Sequence, residues 1–218
     1  MSAQSVIDVA RAYLGVAEDP PGSNRTIFGA EYGLDGQPWC VMFLWYCFQH
    51  AGERMAFFGG GKTASCGMLL RWYREQGLVV DKRDIQIGDI LILNFSGTQD
   101  TQHCGLVVDK GKLAGTWYTI EGNTSPGEEG SQDNGECVAL KTRYPAQIVA
   151  VCRPTYKADD PQPVDDISGH WAENAIRRAI SRGLMQGYPD GSFRPDQPVT
   201  RAELAVILDR LEKEDDLK

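Results

Sequence analysis

The order of the patterned segments constrains the fold of this chain most: helical patterns come first and strand patterns follow. Helical character is found at residues 5–14, 38–48 and 66–76. Short runs rich in β-branched, leucine or aromatic residues then occur between turn residues, at 89–95, 104–109, 117–121, 136–140 and 148–152. This order predicts an α+β domain whose N-terminal helices pack on an antiparallel sheet.

The rest of the chain predicts a second, smaller domain. Residues 155–164 are polar and contain prolines, which is typical of a linker, so the first domain is assigned to residues 1–154. Residues 165–212 predict a small α-helical module, in which Thr200 and Glu203 form a capping box before the second helix. Residues 213–218 form a charged tail. Residues 19–36 predict an irregular loop, because Pro, Gly and Asn recur in them.

Charge and hydropathy exclude several function classes. The net charge is −8, from 22 basic and 30 acidic residues, and no basic patch occurs. We therefore expect no binding to nucleic acid or to an anionic membrane surface. No segment approaches the roughly 20 apolar residues that a membrane-spanning helix needs. The N-terminus lacks the pattern of a signal peptide, which predicts a protein made in the cytoplasm without export.

The six cysteines raise the question of disulfides or a metal site. They stand at positions 40, 47, 66, 104, 137 and 152. Irregular spacing, the domain size and the lack of a signal peptide favour free thiols. No CxxC pair is present, so a structural zinc site is not expected. The spacing is more typical of one nucleophile among small core residues.

Cys40 is the strongest candidate nucleophile because of its position. It lies where a Gly/Pro-rich loop enters an apolar helix, and a helix N-terminus favours a thiolate and offers N–H groups to an oxyanion. Cys47 lies about 10 Å further along that helix among apolar neighbours, so we expect it to be inert. Cys66, which begins the next helix, is the one rival.

His103 is the candidate base. His50 lies about 15 Å along the helix from Cys40, and His170 belongs to the C-terminal module. His103 begins a predicted strand after a polar loop. Glu121 and Asn123 alternate on one face of another strand, where a carboxylate could orient the imidazole. The alternative is that Glu121 is a solvated charge and Asn123 a turn residue.

Five short motifs resemble those of the CHAP family (cysteine, histidine-dependent amidohydrolases/peptidases). They lie at residues 24–25, 38–43, 88–90, 103–107 and 120–123. The resemblance covers about residues 1–153 and implies a papain-like fold that cleaves peptidoglycan, as an N-acetylmuramoyl-L-alanine amidase or an endopeptidase. It implies that Cys40 is the nucleophile, His103 the base and then the acid, and Glu121 the orienting residue. It also implies that Asn123 is a fourth member near the histidine or the oxyanion.

The C-terminal module resembles an SLH (S-layer homology) repeat, through motifs at 165–167, 169–172, 175–176, 187–191, 193–195 and 200–203. The resemblance implies binding to a secondary cell-wall polymer, with Trp171, Gly187 and Arg201 at the ligand site. Arg201 suits a ketal carboxylate and Trp171 a sugar face. SLH repeats usually act as three in one chain, so a single repeat predicts either weak binding or assembly into a homo-oligomer.

Together these patterns predict a cell-wall hydrolase with a wall anchor. The lack of a signal peptide suggests a phage or prophage endolysin that reaches the wall after holin-type release. Acidic residues before Cys40 lack the spacing of the calcium loop found in some CHAP members, so no metal or other cofactor is expected. Two alternatives stay open: a catalytically inactive wall-binding protein, and a cysteine peptidase or transpeptidase that acts on protein.

Overall fold

A computed structural model of the chain describes residues 3–127, 130–156, 166–182, 184–185 and 192–215. The chain divides into two compact units, Met1–Ala158 and Asp159–Lys218. Most of the predicted linker, at residues 157–164, lies outside the described residues. Among the described residues, no helix combines the length and the apolar character that crossing a membrane requires.

The first unit begins with four helices. They are α1 (Ala3–Ala12), α2 (Ile27–Tyr32), α3 (Cys40–His50) and α4 (Cys66–Glu75). Helix α3 is apolar on all sides, and its first nine residues are buried, as expected of a helix in the middle of a core. Helices α1 and α4 are amphipathic and bury one face each.

A six-stranded antiparallel sheet follows. Its strands are β1 (Val79–Val80), β2 (Ile90–Leu93), β3 (His103–Lys110), β4 (Trp117–Thr124), β5 (Cys137–Arg143) and β6 (Ile148–Cys152), in the order β1-β6-β2-β3-β4-β5. Alternate residues of the central strands face two apolar clusters: Cys104 and Leu106 face the larger cluster with α3, and Val107 faces a smaller one. The predicted α+β class is confirmed.

Two local expectations were wrong. The segment 19–36 is not wholly irregular, because α2 lies within it and Thr26 caps this helix by accepting a hydrogen bond from the Gly29 N–H at 3.1 Å. The first helical pattern also ends earlier than expected: α1 stops at Ala12, and Leu14 is 43% exposed. The two-residue strand β1 was missed because so short a run carries no detectable alternation.

The described part of the second unit contains α5 (Glu173–Ser181) and α6 (Arg201–Asp215). Thr200 and Glu203 form the expected capping box: the Glu203 N–H donates to Thr200 Oγ1 at 3.2 Å, and the Thr200 N–H donates to Glu203 Oε2 at 2.7 Å. The Asp166 carboxylate accepts hydrogen bonds from the backbone N–H groups of Phe193 and Arg194. These hydrogen bonds link Asp166, the first described residue of the unit, to the segment before α6.

Candidate functional site

Cys40 is the first residue of α3, and the residue before it fixes its position. The Trp39 ring is fully buried, donates from Nε1 to Glu18 Oε1 at 3.0 Å and stacks on Phe28. Gly122 of β4 lets the sheet approach closely here, since a Cβ at that position would lie 2.6 Å from atoms of both Trp39 and Phe43. The helix start that carries Cys40 is therefore held by packing on both sides.

His103 is the first residue of β3 and is fully buried. Its Nε2 lies 3.0 Å from Oε2 of Glu121 on the adjacent strand β4. Gly105 makes room for this carboxylate, because a Cβ at Gly105 would lie 2.6 Å from Cγ of Glu121. The other ring nitrogen, Nδ1, has no hydrogen-bond partner among the residues that the structure describes. One side of the imidazole is thus anchored, and the other is available for proton transfer.

Glu121 is held from its far side by Arg143 of β5, which sequence reasoning missed. Arg143 is fully buried; its Nε donates to Oε1 of Glu121 at 2.7 Å, and its Nη2 donates to Oε2. Thr119 also donates its hydroxyl to Oε1, and the Arg143 guanidinium lies over the Phe95 ring. Paired donors of this kind fix the carboxylate in one orientation.

The sequence does contain a signal for Arg143. Lys141 and Arg143 are basic residues at alternate positions of a strand that is otherwise mostly apolar, so they share one face. That face points to a partner for Glu121 only when the register between β4 and β5 is known. In this register Glu121 pairs with Ala139 and Thr119 pairs with Lys141. The sequence alone does not supply this register, so the guanidinium partner of Glu121 could not be identified from it.

The site favours a charged Cys40–His103 pair. Hydrogen bonding from Cys104 and Cys66 and the interaction with His103 hold the pKa of Cys40 well below its ordinary value, against the effect of burial. Burial opposes the charged form of His103, but Cys40 and Glu121 outweigh it and raise its pKa to about 9. These two shifts favour a Cys40 thiolate beside a His103 that is an imidazolium at neutral pH.

The Glu121 carboxylate, which contacts His103, stays ionised. Burial disfavours its charge, but Arg143 and then His103 outweigh burial and lower the pKa of Glu121 to about 2. Because an ionised carboxylate only accepts hydrogen bonds, Nε2 of His103 must carry a proton. Proton exchange with Cys40 and with a leaving group is therefore left to Nδ1.

The other cysteines separate into two groups. Burial raises the pKa of Cys47 well above the ordinary value of a thiol, in agreement with an inert residue. Burial also raises the pKa of Cys137 and Cys152, which lie on strands of the sheet. Cys66, the predicted rival, lies in the site itself: its Sγ is 3.8 Å from that of Cys40. The pKa of Cys66 is raised well above normal, which leaves Cys40 as the stronger nucleophile.

Asn123 is buried on β4, beyond the point where the strand alternation holds. The ladder between β4 and β5 shifts register between Glu121 and Thr124, and Asn123 has a φ of 59°, so the simple alternation with Glu121 is interrupted. Its Nδ2 donates to Asn134 at 3.3 Å, and its Oδ1 has no partner within the described part of the chain. The role of Asn123 near the histidine or the oxyanion stays a prediction.

The two remaining histidines have carboxylate partners of their own. Nε2 of His50, the last residue of α3, lies 2.8 Å from a carboxylate oxygen of Glu31 at the surface. His170 belongs to the second unit, where its Nε2 lies 3.3 Å from Asp196. His103 is therefore the histidine that shares a buried site with a cysteine.

The residues predicted to bind wall polymer have a different setting. Trp171 is 91% exposed, and Arg201, the first residue of α6, is also exposed. The third predicted residue, Gly187, lies outside the described residues. An indole this exposed does not serve as a core residue, and its ring is accessible to a ligand.

Comparison with known families supports both resemblances. A model of the CHAP domain matches residues 32–123, and a model of the S-layer homology domain matches residues 165–205. The first match contains Cys40, His103, Glu121 and Asn123; the second contains Trp171, Gly187 and Arg201. No solved structure matches the chain at a significant level.

Curated relatives match a minor part of the chain. Cell surface glycoprotein 1 of Acetivibrio thermocellus is 49% identical over 55 residues, 25% of this chain and 2% of that protein. Outer membrane protein SlpA of Deinococcus radiodurans is 53% identical over 76 residues, 34% of this chain and 6% of that protein. The Cellulosome-anchoring protein of A. thermocellus is 42% identical over 45 residues, 21% of this chain and 10% of that protein. The chain thus spans a tenth or less of each of these relatives.

These relatives overturn one prediction. The expectation of a cytoplasmic protein without export, which reaches the wall after holin-type release, is wrong. The matched proteins are named as cell-surface, S-layer and outer-membrane proteins, which points to export. The expectation failed because the presence of this module is a stronger indicator of location than the composition of the first residues.

Proposed function

We propose that this chain, which contains a CHAP domain and an SLH domain, is an exported hydrolase that cleaves amide bonds of peptidoglycan while its C-terminal module holds it on the wall. One observation carries the catalytic half: a cysteine whose pKa is lowered lies beside an imidazole that Glu121 and Arg143 orient from behind. Nucleophile, base and orienting group are the parts that cysteine catalysis requires.

The mechanism follows from this arrangement. The Cys40 thiolate attacks the carbonyl carbon of the amide, and backbone N–H groups at the start of α3 stabilise the oxyanion. The C–N bond breaks as the His103 imidazolium gives its proton to the leaving amine, and a thioester forms. His103, now neutral, takes a proton from water, which attacks the thioester and releases the acid. Glu121 holds the ring and stabilises its charge throughout.

The scissile bond is either the lactyl amide of N-acetylmuramoyl-L-alanine or a bond within the stem or bridge peptide. The Cys40 site performs the same steps on each, because both are secondary amides. A phage endolysin would use the same chemistry, but the module's relatives favour a resident surface enzyme.

The anchoring half rests on exposed residues of the second unit. We assign a secondary cell-wall polymer to Trp171 and Arg201, since an exposed indole packs on a sugar face and a guanidinium binds a carboxylate in paired fashion. One relative is named as an anchoring protein and two as S-layer proteins, which supports retention at the surface as the role of the module.

Association of copies through the second unit is a further part of the proposal. Apolar side chains of α6 are about half exposed: Leu204 at 46%, Val206 at 49% and Leu208 at 53%. Leu204 and Leu208 are one turn apart and share a face of α6, whereas Val206 lies on another side of the helix; burying the Leu204–Leu208 face against a copy of the chain would stabilise the helix. Sedimentation of the full chain at several concentrations tests this; a monomer at every concentration would remove it from the proposal.

The catalytic half is tested by the loss of turbidity of purified Gram-positive walls. The native chain should clear the suspension, Cys40→Ala should not, and Cys47→Ala should clear it because Cys47 lies buried away from the site. Equal clearing by native protein and Cys40→Ala would contradict the proposal. No clearing by the native chain, together with cleavage of a protein substrate, would favour a cysteine peptidase instead.

A further inference from the structure

Two further cysteines lie close to Cys40, the proposed nucleophile. Cys40 begins α3, Cys66 begins α4 and Cys104 lies on β3, so three separate elements bring them together. Their Sγ atoms all lie within 4.8 Å of one another, and those of Cys40 and Cys66 are 3.8 Å apart. Cys104 is fully buried, while Cys40 and Cys66 keep 5% and 7% of their surface exposed.

Burial alone does not explain this arrangement. Buried cysteines commonly serve as small core residues, and Cys47 fits that description because it is a fully buried member of the larger apolar cluster. Cys137 has a different, local partner, since its thiol donates to the Thr124 carbonyl at 3.2 Å. The cluster differs from both, because three polarisable sulfurs share one small volume and one of them is the nucleophile.

The spacing of the sulfurs suits a metal ion. With a Zn–S distance of about 2.3 Å, three thiolates around one ion lie about 3.8–4.0 Å from each other. Cys40 and Cys66 already have this separation, and the remaining pairs need to close by no more than about 1 Å, because no pair exceeds 4.8 Å. The shift is within the reach of side-chain rotation at helix starts.

We propose that Cys40, Cys66 and Cys104 bind one soft cation such as Zn²⁺, and that the bound ion blocks the nucleophile. Thiolates select soft cations of this kind over Mg²⁺ or Ca²⁺. The inference revises the expectation that the absence of a CxxC pair argues against zinc, because the three ligands come from distant parts of the sequence. The claim that the bound ion inhibits the enzyme rests on the proposed function, whereas the claim that the three cysteines bind the ion does not.

The chemistry of inhibition is coordination, not oxidation. Each thiol that still carries a proton loses it to solvent as its sulfur lone pair binds the ion. The Cys40 lone pair that would attack a carbonyl is then engaged with the metal, so the thioester cannot form. Removing the ion with a chelator returns the free thiolate, and no electrons are exchanged at any step.

Cd²⁺ is the probe for binding, because thiolate-to-cadmium charge transfer gives an ultraviolet absorption band that counts bound sulfurs. The full chain, reduced with a phosphine and freed of chelator, is titrated alongside Cys66→Ser, Cys104→Ser and Cys47→Ser. Cys47→Ser is the matched control, as this residue lies buried on the same helix as Cys40. Circular dichroism checks that each variant is folded.

Native protein and Cys47→Ser should saturate at one ion per chain, and each cluster variant should bind at least about tenfold more weakly with a weaker band. Either variant alone is sufficient, so failure of one to fold leaves the test intact. Absence of a saturable band in the native chain, or equal binding by both cluster variants and the native chain, would overturn the proposal.

Wall clearing gives the second readout. One equivalent of Zn²⁺ should stop the clearing of walls by the native chain, and a chelator should restore it. Cys66→Ser should need more Zn²⁺ for the same loss of clearing activity. If Cd²⁺ binds but metal-free protein never clears walls, the metal site stands and the proposed function fails. If walls are cleared and one bound equivalent of Zn²⁺ leaves the rate unchanged, the claim that the bound ion inhibits the enzyme is wrong.

Discussion

The two units of this chain place their candidate functional side chains in opposite environments. In the first unit, His103, Glu121 and Arg143 are fully buried, and Glu121 is hydrogen-bonded to both of the others. In the second, Trp171 is 91% exposed and the Glu173–Arg177 ion pair lies at the surface. The buried set has one geometry, imposed by three adjacent strands, whereas the exposed set meets water on most sides.

The difference matches the role that we propose for each unit. Catalysis needs groups held in place before the substrate arrives, and burial in a low-dielectric site strengthens every charge interaction among them. Attachment to a polymer needs accessible rings and charges. Substitutions in the first unit should therefore have large and specific effects, and those in the second small and additive ones.

The largest effect is expected at His103. His103→Ala removes the group that protonates the leaving amine. The rate of wall hydrolysis should therefore fall by about a thousandfold or more, which is typical when a catalytic acid–base residue is removed. Binding to walls, measured by co-sedimentation, should not change. His50→Ala is the control, since His50 pairs with Glu31 at the surface. A comparable loss in both variants would place the effect outside the site.

Arg143→Met should destabilise the first unit strongly. It leaves the Glu121 carboxylate buried without its guanidinium partner, which typically costs about 3–5 kcal/mol. Urea unfolding followed by tryptophan fluorescence measures this, and adding Glu121→Gln should restore part of the loss. Arg177→Ala, at the exposed pair of the second unit, should have no measurable effect. Equal sensitivity of the two pairs would contradict the contrast between the units.

The pH dependence of hydrolysis tests the charged pair, with chelator present to keep the thiols free of metal. Activity should persist well below the ordinary pKa of a thiol, because the pKa of Cys40 is lowered, and fall when the thiolate is protonated. It should also fall as pH rises through about 9, where the His103 imidazolium loses its proton. An acid limb near the ordinary thiol pKa would show that Cys40 starts as a neutral thiol.

The smallest effect is expected at Trp171. Trp171→Ala should weaken binding to walls by about tenfold, equivalent to about 1.4 kcal/mol, because one stacking surface is lost. Hydrolysis of soluble wall fragments should keep its rate. Ile180→Ala, another exposed apolar residue of the second unit, is the matched control. Unchanged wall binding by Trp171→Ala would exclude this ring from the polymer site.

Local patterns were sufficient to predict the α+β class and to select residues that the structure brings together. Cys40 at a helix start and His103 at a strand start are one-dimensional features, visible without the fold. Arg143 and the cluster of Cys66 with Cys104 were missed because each depends on which elements are adjacent, through strand register or helix packing. The Asn123 contact was missed because a register shift breaks the alternation.

Mass spectrometry of the fragments released from purified walls tests the central claim most directly. Native protein should release fragments in which an amide has been hydrolysed, so that a new amine and a new carboxyl group appear, or a free lactyl group and a free L-alanine amine. Cys40→Ala, folded by circular dichroism, should release none above background. Fragments with new reducing sugar ends, or the same amide products from Cys40→Ala, would contradict a cysteine amide hydrolase.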